Sequence, residues 1–85
     1  MAVFKAVIKV NVGEDAAVLY KALYPEENSP PSHRSRMSVV MAGGEEVRVT
    51  VISSDLASFR AALNSVFRLL GAVESVKSVI YERHI

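Results

Sequence analysis

Two histidines, His33 and His84, are the first residues to weigh for chemistry, because imidazole carries protons and binds metals near neutral pH. They stand far apart in the sequence, and neither has a carboxylate at ligand spacing, so no metal site is read from them. The chain has no cysteine, which removes disulfides and thiolate ligands. Serines are plentiful, yet none is tied to a His and an Asp by a recognisable local pattern. Gly43-Gly44 precedes a strand pattern and lacks a following Lys-Ser/Thr and helix, so it reads as a hairpin turn and not a phosphate-binding loop. Asp55 stands where a helix should begin, and there a carboxylate caps backbone N–H groups. The residues argue for no catalytic group, no metal and no cofactor.

What remains is the chemistry of contact. On the strand faces expected to point away from the helices lie Lys5, Val7, Lys9 and Asn11, then Arg34, Arg36, Ser38 and Val40, then Arg48, Thr50 and Ile52. Lys5, Lys9, Arg34, Arg36 and Arg48 are basic, and no acid is expected among them. Such a one-sign patch suits a phosphate-bearing partner. It equally suits a solvated face whose charges block edge pairing. No aromatic residue is interleaved on that face, so base stacking is not expected, and contact would be to backbone phosphates or RNA shape. Elsewhere, Arg60, Asn64 and Arg68 recur at four-residue steps, with Ala57, Ala61, Ser65, Gly71 and Ala72 beside them. Small residues admit a second backbone, to which Asn and Arg can then bond; the same stripe also reads as a helix's solvent side.

These side chains need elements to position them. Val3 to Val12 alternates, with Phe4, Ala6, Ile8 and Val10 on one side, which is the period of a half-buried strand. Asn11 or Gly13 opens a helix over roughly Glu14 to Tyr24, with Glu14 and Asp15 in the first turn where the helix dipole favours acids. Pro25 is expected to end it, and Glu26 to Ser32, with Pro30 and Pro31, reads as a mobile loop. Strands follow at about Arg36 to Met41 and Glu46 to Ser53. For Met37, Val39 and Met41 to share a face with Val51, Val49 and Val47, opposing residue numbers must sum to an even value. The connecting loop therefore holds an odd number of residues, three or five, or a bulge, and Gly43 and Gly44 supply the positive φ. After a cap at Ser53, Ser54 or Asp55, the spacing predicts one long helix to about Arg83, with Gly71 a potential kink. Its stripe runs through Leu56, Phe59, Leu63, Val66, Phe67, Leu70 and Val73, widened by Ala62, Leu69, Val76 and Ile80. The expected fold class is α+β: a two-layer sandwich, β-α-β-β-α, with two helices on one face of a three-stranded antiparallel sheet.

The 85 residues make a single domain, of which 51% are hydrophobic, and the mean hydropathy is positive. Both helices carry more apolar surface than a core-facing stripe somewhat over 100° wide requires. Such surplus in a small domain points to cover by other chains. No stretch approaches the length of an uncharged membrane span, and the first residues read as a strand rather than a leader, so a soluble, cytoplasmic protein without membrane contact is expected.

The run Ser54-Asp55-Leu56-Ala57-Ser58-Phe59-Arg60-Ala61-Ala62-Leu63-Asn64-Ser65-Val66-Phe67-Arg68-Leu69-Leu70 resembles the hallmark of the small dimerisation subunit of the KEOPS (EKC) complex, the Pcc family: Asp, then Leu-Arg-Ala, then Asn-Ser, then Leu-Arg. Phe59 stands where that family usually has Leu. Upstream, Tyr20-Lys21-Ala22-Leu23-Tyr24-Pro25-Glu26 is similar to the family's helix end, and Arg34-Ser35-Arg36 to the basic stretch opening its second strand. The resemblance spans nearly the whole chain, as one Pcc-like domain over residues 1–85, and agrees with the β-α-β-β-α order.

The resemblance implies a non-catalytic subunit that forms a homodimer. It implies two helices that pack with helices of the catalytic threonylcarbamoyltransferase subunit. The assembly makes N6-threonylcarbamoyladenosine in tRNAs that read codons beginning with A, and the small subunit helps to hold that tRNA. On this reading Leu19, Leu23, Phe59, Leu63, Val66, Phe67 and Leu70, with Arg60, Asn64 and Arg68, meet the protein partner. Lys5, Lys9, Arg34, Arg36 and Arg48 meet tRNA. The competing class is an independent small nucleic-acid-binding or transcriptional regulatory protein, which would need its own recognition helix. A small enzyme is the third class, and it lacks an acid/base or nucleophile constellation.

Overall fold

The computed structural model describes residues 3–28, 35–73 and 76–84. The alternation in the first residues produces β1, Phe4–Asn11. The Asn11 side-chain oxygen accepts the Gly13 N–H at 3.0 Å, and Gly13, at φ 58°, turns the chain into a short 3₁₀ turn, Gly13–Asp15. Helix α1, Ala16–Asn28, follows. It runs about one turn beyond Pro25, where it was expected to stop; this close to the helix end proline removes a single donor. The remainder of the expected loop, 29–34, lies outside the described residues, as do His33 and Arg34.

Strands β2, Ser35–Ala42, and β3, Glu46–Ser53, pair antiparallel from Ser35↔Ser53 to Ala42↔Glu46. The turn between them is the three-residue loop 43–45, one of the alternatives that the register left open. Gly43 and Gly44 adopt φ of 70° and 84°, the left-handed region that only glycine enters without strain. β3 also pairs antiparallel with β1.

Helix α2 is Leu56–Gly71, not one helix to Arg83. The chain turns at Ala72, and Ser78–His84 forms a further strand, β4, antiparallel to β1. The sheet thus has four strands in the order β2-β3-β1-β4, one more than expected. Two physical terms overrode the helical period. Gly71 is a poor helix former, and Ser78-Val79-Ile80-Tyr81 is a β-branched and aromatic run that gains a ladder along the β1 edge.

The two helices cover one face of this sheet. Their inner stripes, Ala16, Leu19 and Leu23 of α1 and Phe59, Ala62, Val66 and Leu70 of α2, close over Ala6, Ile8, Val10, Met37, Val39, Val47, Val49 and Val51. Among the described residues the core is apolar save for a buried pair, Ser35 and Ser53. Ser35 Oγ lies 3.3 Å from Ser53 Oγ and 3.2 Å from the Ser58 carbonyl oxygen, and Ser53 Oγ donates to the Asp55 carbonyl at 3.0 Å. The Asp55 carboxylate accepts the Ser58 N–H at 2.9 Å and the Ser58 hydroxyl at 2.7 Å. Asp55 is therefore the α2 cap, and the serines around it bind two strands to the start of that helix. Asp55→Ala should lower stability by about 1 kcal/mol, the usual worth of an N-cap, as read from the urea midpoint.

Candidate interaction surfaces

The outer side of the helix layer is built from the residues that the inner stripes leave over. Along α2, Ala57, Arg60, Ala61, Asn64, Phe67, Arg68 and Gly71 are exposed at three- and four-residue steps. Along α1, Ala17, Val18, Lys21, Ala22 and Tyr24 are exposed, with Val18 at 67% and Tyr24 at 47%. Most of these side chains are small or apolar, and the charged ones, Lys21, Arg60 and Arg68, are all basic. The surface offers close backbone approach along a shallow apolar stripe.

This placement corrects the expected contact set. Leu19, Leu23, Phe59, Val66 and Leu70 are inside the chain's own core, none more than 6% exposed, because they form the stripe that faces the sheet. They support the outer surface without being part of it. Leu63 is half-buried against the core. Phe67, Arg60, Asn64 and Arg68 are the expected contacts that reach the surface. The signal for the missing members was present in the same pattern: Ala57 and Ala61 fall between inner-stripe positions, and Val18 follows the buried Ala16 by half a turn.

The opposite side of the sheet carries four rows. Arg36, Ile52 and Lys5 form the first, which ends at residue 84. Ser38, Thr50, Val7 and Glu82 form the second, Val40, Arg48, Lys9 and Ile80 the third, and Ala42, Glu46, Asn11 and Ser78 the fourth. The structure thus brings Lys5, Lys9, Arg36 and Arg48 to one face, while Arg34 lies outside the described residues. The expectation of a face without acids is overturned. Glu82 arrives on β4 and pairs with Lys9 at 3.0 Å, and Glu46, at the start of β3, pairs with Arg48. Lys5 and Arg36, flanking Ile52, keep the positive character of the first row.

An open depression at one end of the sheet is lined by Val12, Gly13, Glu14, Asp15, Glu45, Val76 and Lys77. Among the described residues no three His, Asp or Glu side chains converge on a metal position. No helix among them is long and apolar enough to cross a membrane.

A sheet in the order β2-β3-β1-β4 with two helices on one face is the ferredoxin-like arrangement, and solved structures share it. A variant of SnoaB, a cofactor-independent oxygenase from Streptomyces nogalater, superposes with a TM-score of 0.69 at 12% identity, covering 100% of this chain and 93% of that one. The de novo designed protein Foldit4 gives 0.67 at 15%, covering 98% and 96%. A dimeric ferredoxin-like protein from an uncultured marine organism gives 0.52 at 17%, covering 96% and 90%. At these identities the likeness is one of fold. No curated protein matches the chain. The family model described as transcription factor Pcc1 matches residues 3–78. The chain belongs to this family, the small-subunit family of KEOPS that the α2 motif resembles.

Proposed function

We propose that this chain is the non-catalytic small subunit of a KEOPS complex. It forms a homodimer and docks the threonylcarbamoyltransferase subunit on the outer sides of α1 and α2. Its open sheet face helps to hold the tRNA that receives N6-threonylcarbamoyladenosine. The observation that carries the reading is the outer helix surface, where small and apolar residues stand at helical spacing on the helix that bears the family motif. Stable helix–helix packing needs such a surface, with side chains low enough for axes to approach within about 8–10 Å. Light scattering of the purified chain, with and without the catalytic subunit, tests it: a joint particle is expected, and two unchanged separate masses would overturn it.

The tRNA part rests on Lys5 and Arg36, which have no acidic neighbour in their row, and less on Lys9 and Arg48, which do. Lys5→Glu with Arg36→Glu should weaken tRNA binding at fixed salt. It should also flatten the dependence of log K on log salt by about 0.7–0.9 per lost phosphate contact. Glu82→Gln, which leaves Lys9 without its carboxylate, should move binding the other way. Binding unaffected by either change would make this face a solvated one. The reading as an independent regulator gains little from the same surfaces: the exposed side of α2 offers only Arg60 and Arg68 as cations and is rich in alanine, a poor recognition helix for a charged groove.

A further inference from the structure

The open side of the sheet changes character from row to row. In the first row Arg36 and Lys5 flank Ile52, and no acid stands there among the described residues. In the second row Ser38 pairs with Thr50, and Thr50 with Val7. Ser38 is exposed and Thr50 half-buried, and among the described residues neither hydroxyl has a hydrogen-bond partner. Further on, the cations are committed to ion pairs, Lys9 with Glu82 and Arg48 with Glu46. Past the fourth row the sheet ends at Glu14, Asp15 and Glu45. A polyanion therefore has one footing, at the first row, and meets repulsion toward the far end. Size decides which polyanion fits. Strands lie about 4.8 Å apart, so the outer two of four stand roughly 14 Å apart before side chains are added. The grooves of B-DNA are about 12 and 6 Å wide, and neither admits such a face lying flat. The minor groove of A-form RNA is wide and shallow and displays ribose 2′-hydroxyls.

We propose that this face reads ribose: Lys5 and Arg36 hold phosphates while Ser38 and Thr50 hydrogen-bond 2′-hydroxyls across the minor groove of an RNA duplex. The inference rests on the tRNA part of the proposed function and adds the atoms by which RNA is told from DNA. Cations alone do not make that distinction, because an ammonium or guanidinium meets the phosphates of either nucleic acid. A serine or threonine hydroxyl both donates and accepts, and so does the 2′-hydroxyl it would meet. The spacing suits this division of roles. Successive rows are about 7 Å apart along the strands, so one nucleotide can set its phosphate over the first row and its ribose over the second. Ser38, Thr50 and Val7 are short enough to let a shallow groove settle on them. Ile52, 37% exposed between the two cations, offers an apolar edge to the sugar C–H groups. Glu82 closes the second row with a carboxylate held by Lys9, which keeps phosphates out of it.

The test follows binding of the full chain by fluorescence anisotropy at one salt concentration, with three duplexes of one sequence. These are RNA, its 2′-fluoro form, which keeps the A-form shape without the hydroxyl, and DNA. RNA should bind about tenfold more tightly than the 2′-fluoro duplex, the effect of two hydrogen bonds of ordinary strength, and DNA should bind no better than the latter. Ser38→Ala with Thr50→Val should lose about the same tenfold on RNA and nothing on the 2′-fluoro duplex, with the thermal midpoint unchanged. The salt slope of this variant should stay that of the wild type, because no phosphate contact is removed. Lys5→Glu with Arg36→Glu should instead weaken all three duplexes. Equal binding of RNA and its 2′-fluoro form would overturn the inference and leave the tRNA reading standing on phosphate contact alone. A loss in the serine–threonine variant that is equal on both duplexes would overturn it as well. Failure of the chain to bind any of the three would overturn the tRNA reading together with it.

Discussion

Ala61→Glu should leave the free chain folded and weaken capture of the threonylcarbamoyltransferase subunit about 100-fold or more. Ala61 lies in the middle of α2 on its exposed side, between Arg60 and Asn64 of the family motif. In the free chain a glutamate there reaches water and costs only a few tenths of a kcal/mol in helix propensity. Under a second helix the same carboxylate fills the space that alanine leaves and is stripped of water without a partner. An unpaired buried charge costs about 2–5 kcal/mol, the origin of the expected loss. Isothermal titration alongside urea unfolding separates the two effects. Equal affinity for both chains would place the partner elsewhere.

Two residues away, on the opposite side of the same helix, Phe59→Ala should do the reverse of this: a large loss of stability, with binding affected only through unfolding. Phe59 is 1% exposed, its ring centroid is 5.7 Å from that of Phe4, and the Arg83 guanidinium lies 5.9 Å above it. Removing the ring leaves a cavity under β1 and frees the β4 contact, a change of roughly 3–5 kcal/mol. Domains of this kind hold only about 5–15 kcal/mol in all, so the urea midpoint should fall by a large fraction. A loss under about 1 kcal/mol, the scale of an exposed site, would contradict the placement of Phe59 in the core. The pair separates the two sides of α2 cleanly. Leu70, equally buried, would report on folding and not on docking.

The fold was legible where one local signal had no rival. Alternation from Phe4 to Val10 defined β1 and its buried side. Face matching between Met37, Val39 and Met41 and the valines of β3 left an odd loop or a bulge, and two adjacent glycines supplied the positive φ for the three-residue loop that forms. Asp55 followed by an apolar helical stripe located the start of α2. The end of the chain was different, because Val76, Val79 and Ile80 satisfy helical spacing while Val79-Ile80-Tyr81 also suits a strand. Periodicity cannot choose between these. The decision came from the β1 edge, a partner distant in sequence. That one misreading carried into both surfaces. It hid Glu82 from the sheet face and so overstated its positive charge, and it lengthened the helix that was to meet a partner. The docking residues were blurred for another reason: an over-wide apolar stripe does not say which part faces the sheet, and Phe59, Val66 and Leu70 belonged to the inside. The smaller residues between them, less conspicuous in the sequence, make the outer surface.

The most direct test of the central claim, that the outer sides of α1 and α2 are built to be covered by another protein, is hydrogen exchange of the chain with and without the threonylcarbamoyltransferase subunit. Amide exchange should slow across 17–24 and 57–71 while β2 and β3 keep their free-chain rates. Protection confined to the sheet strands, or no change at saturating partner, would contradict the account.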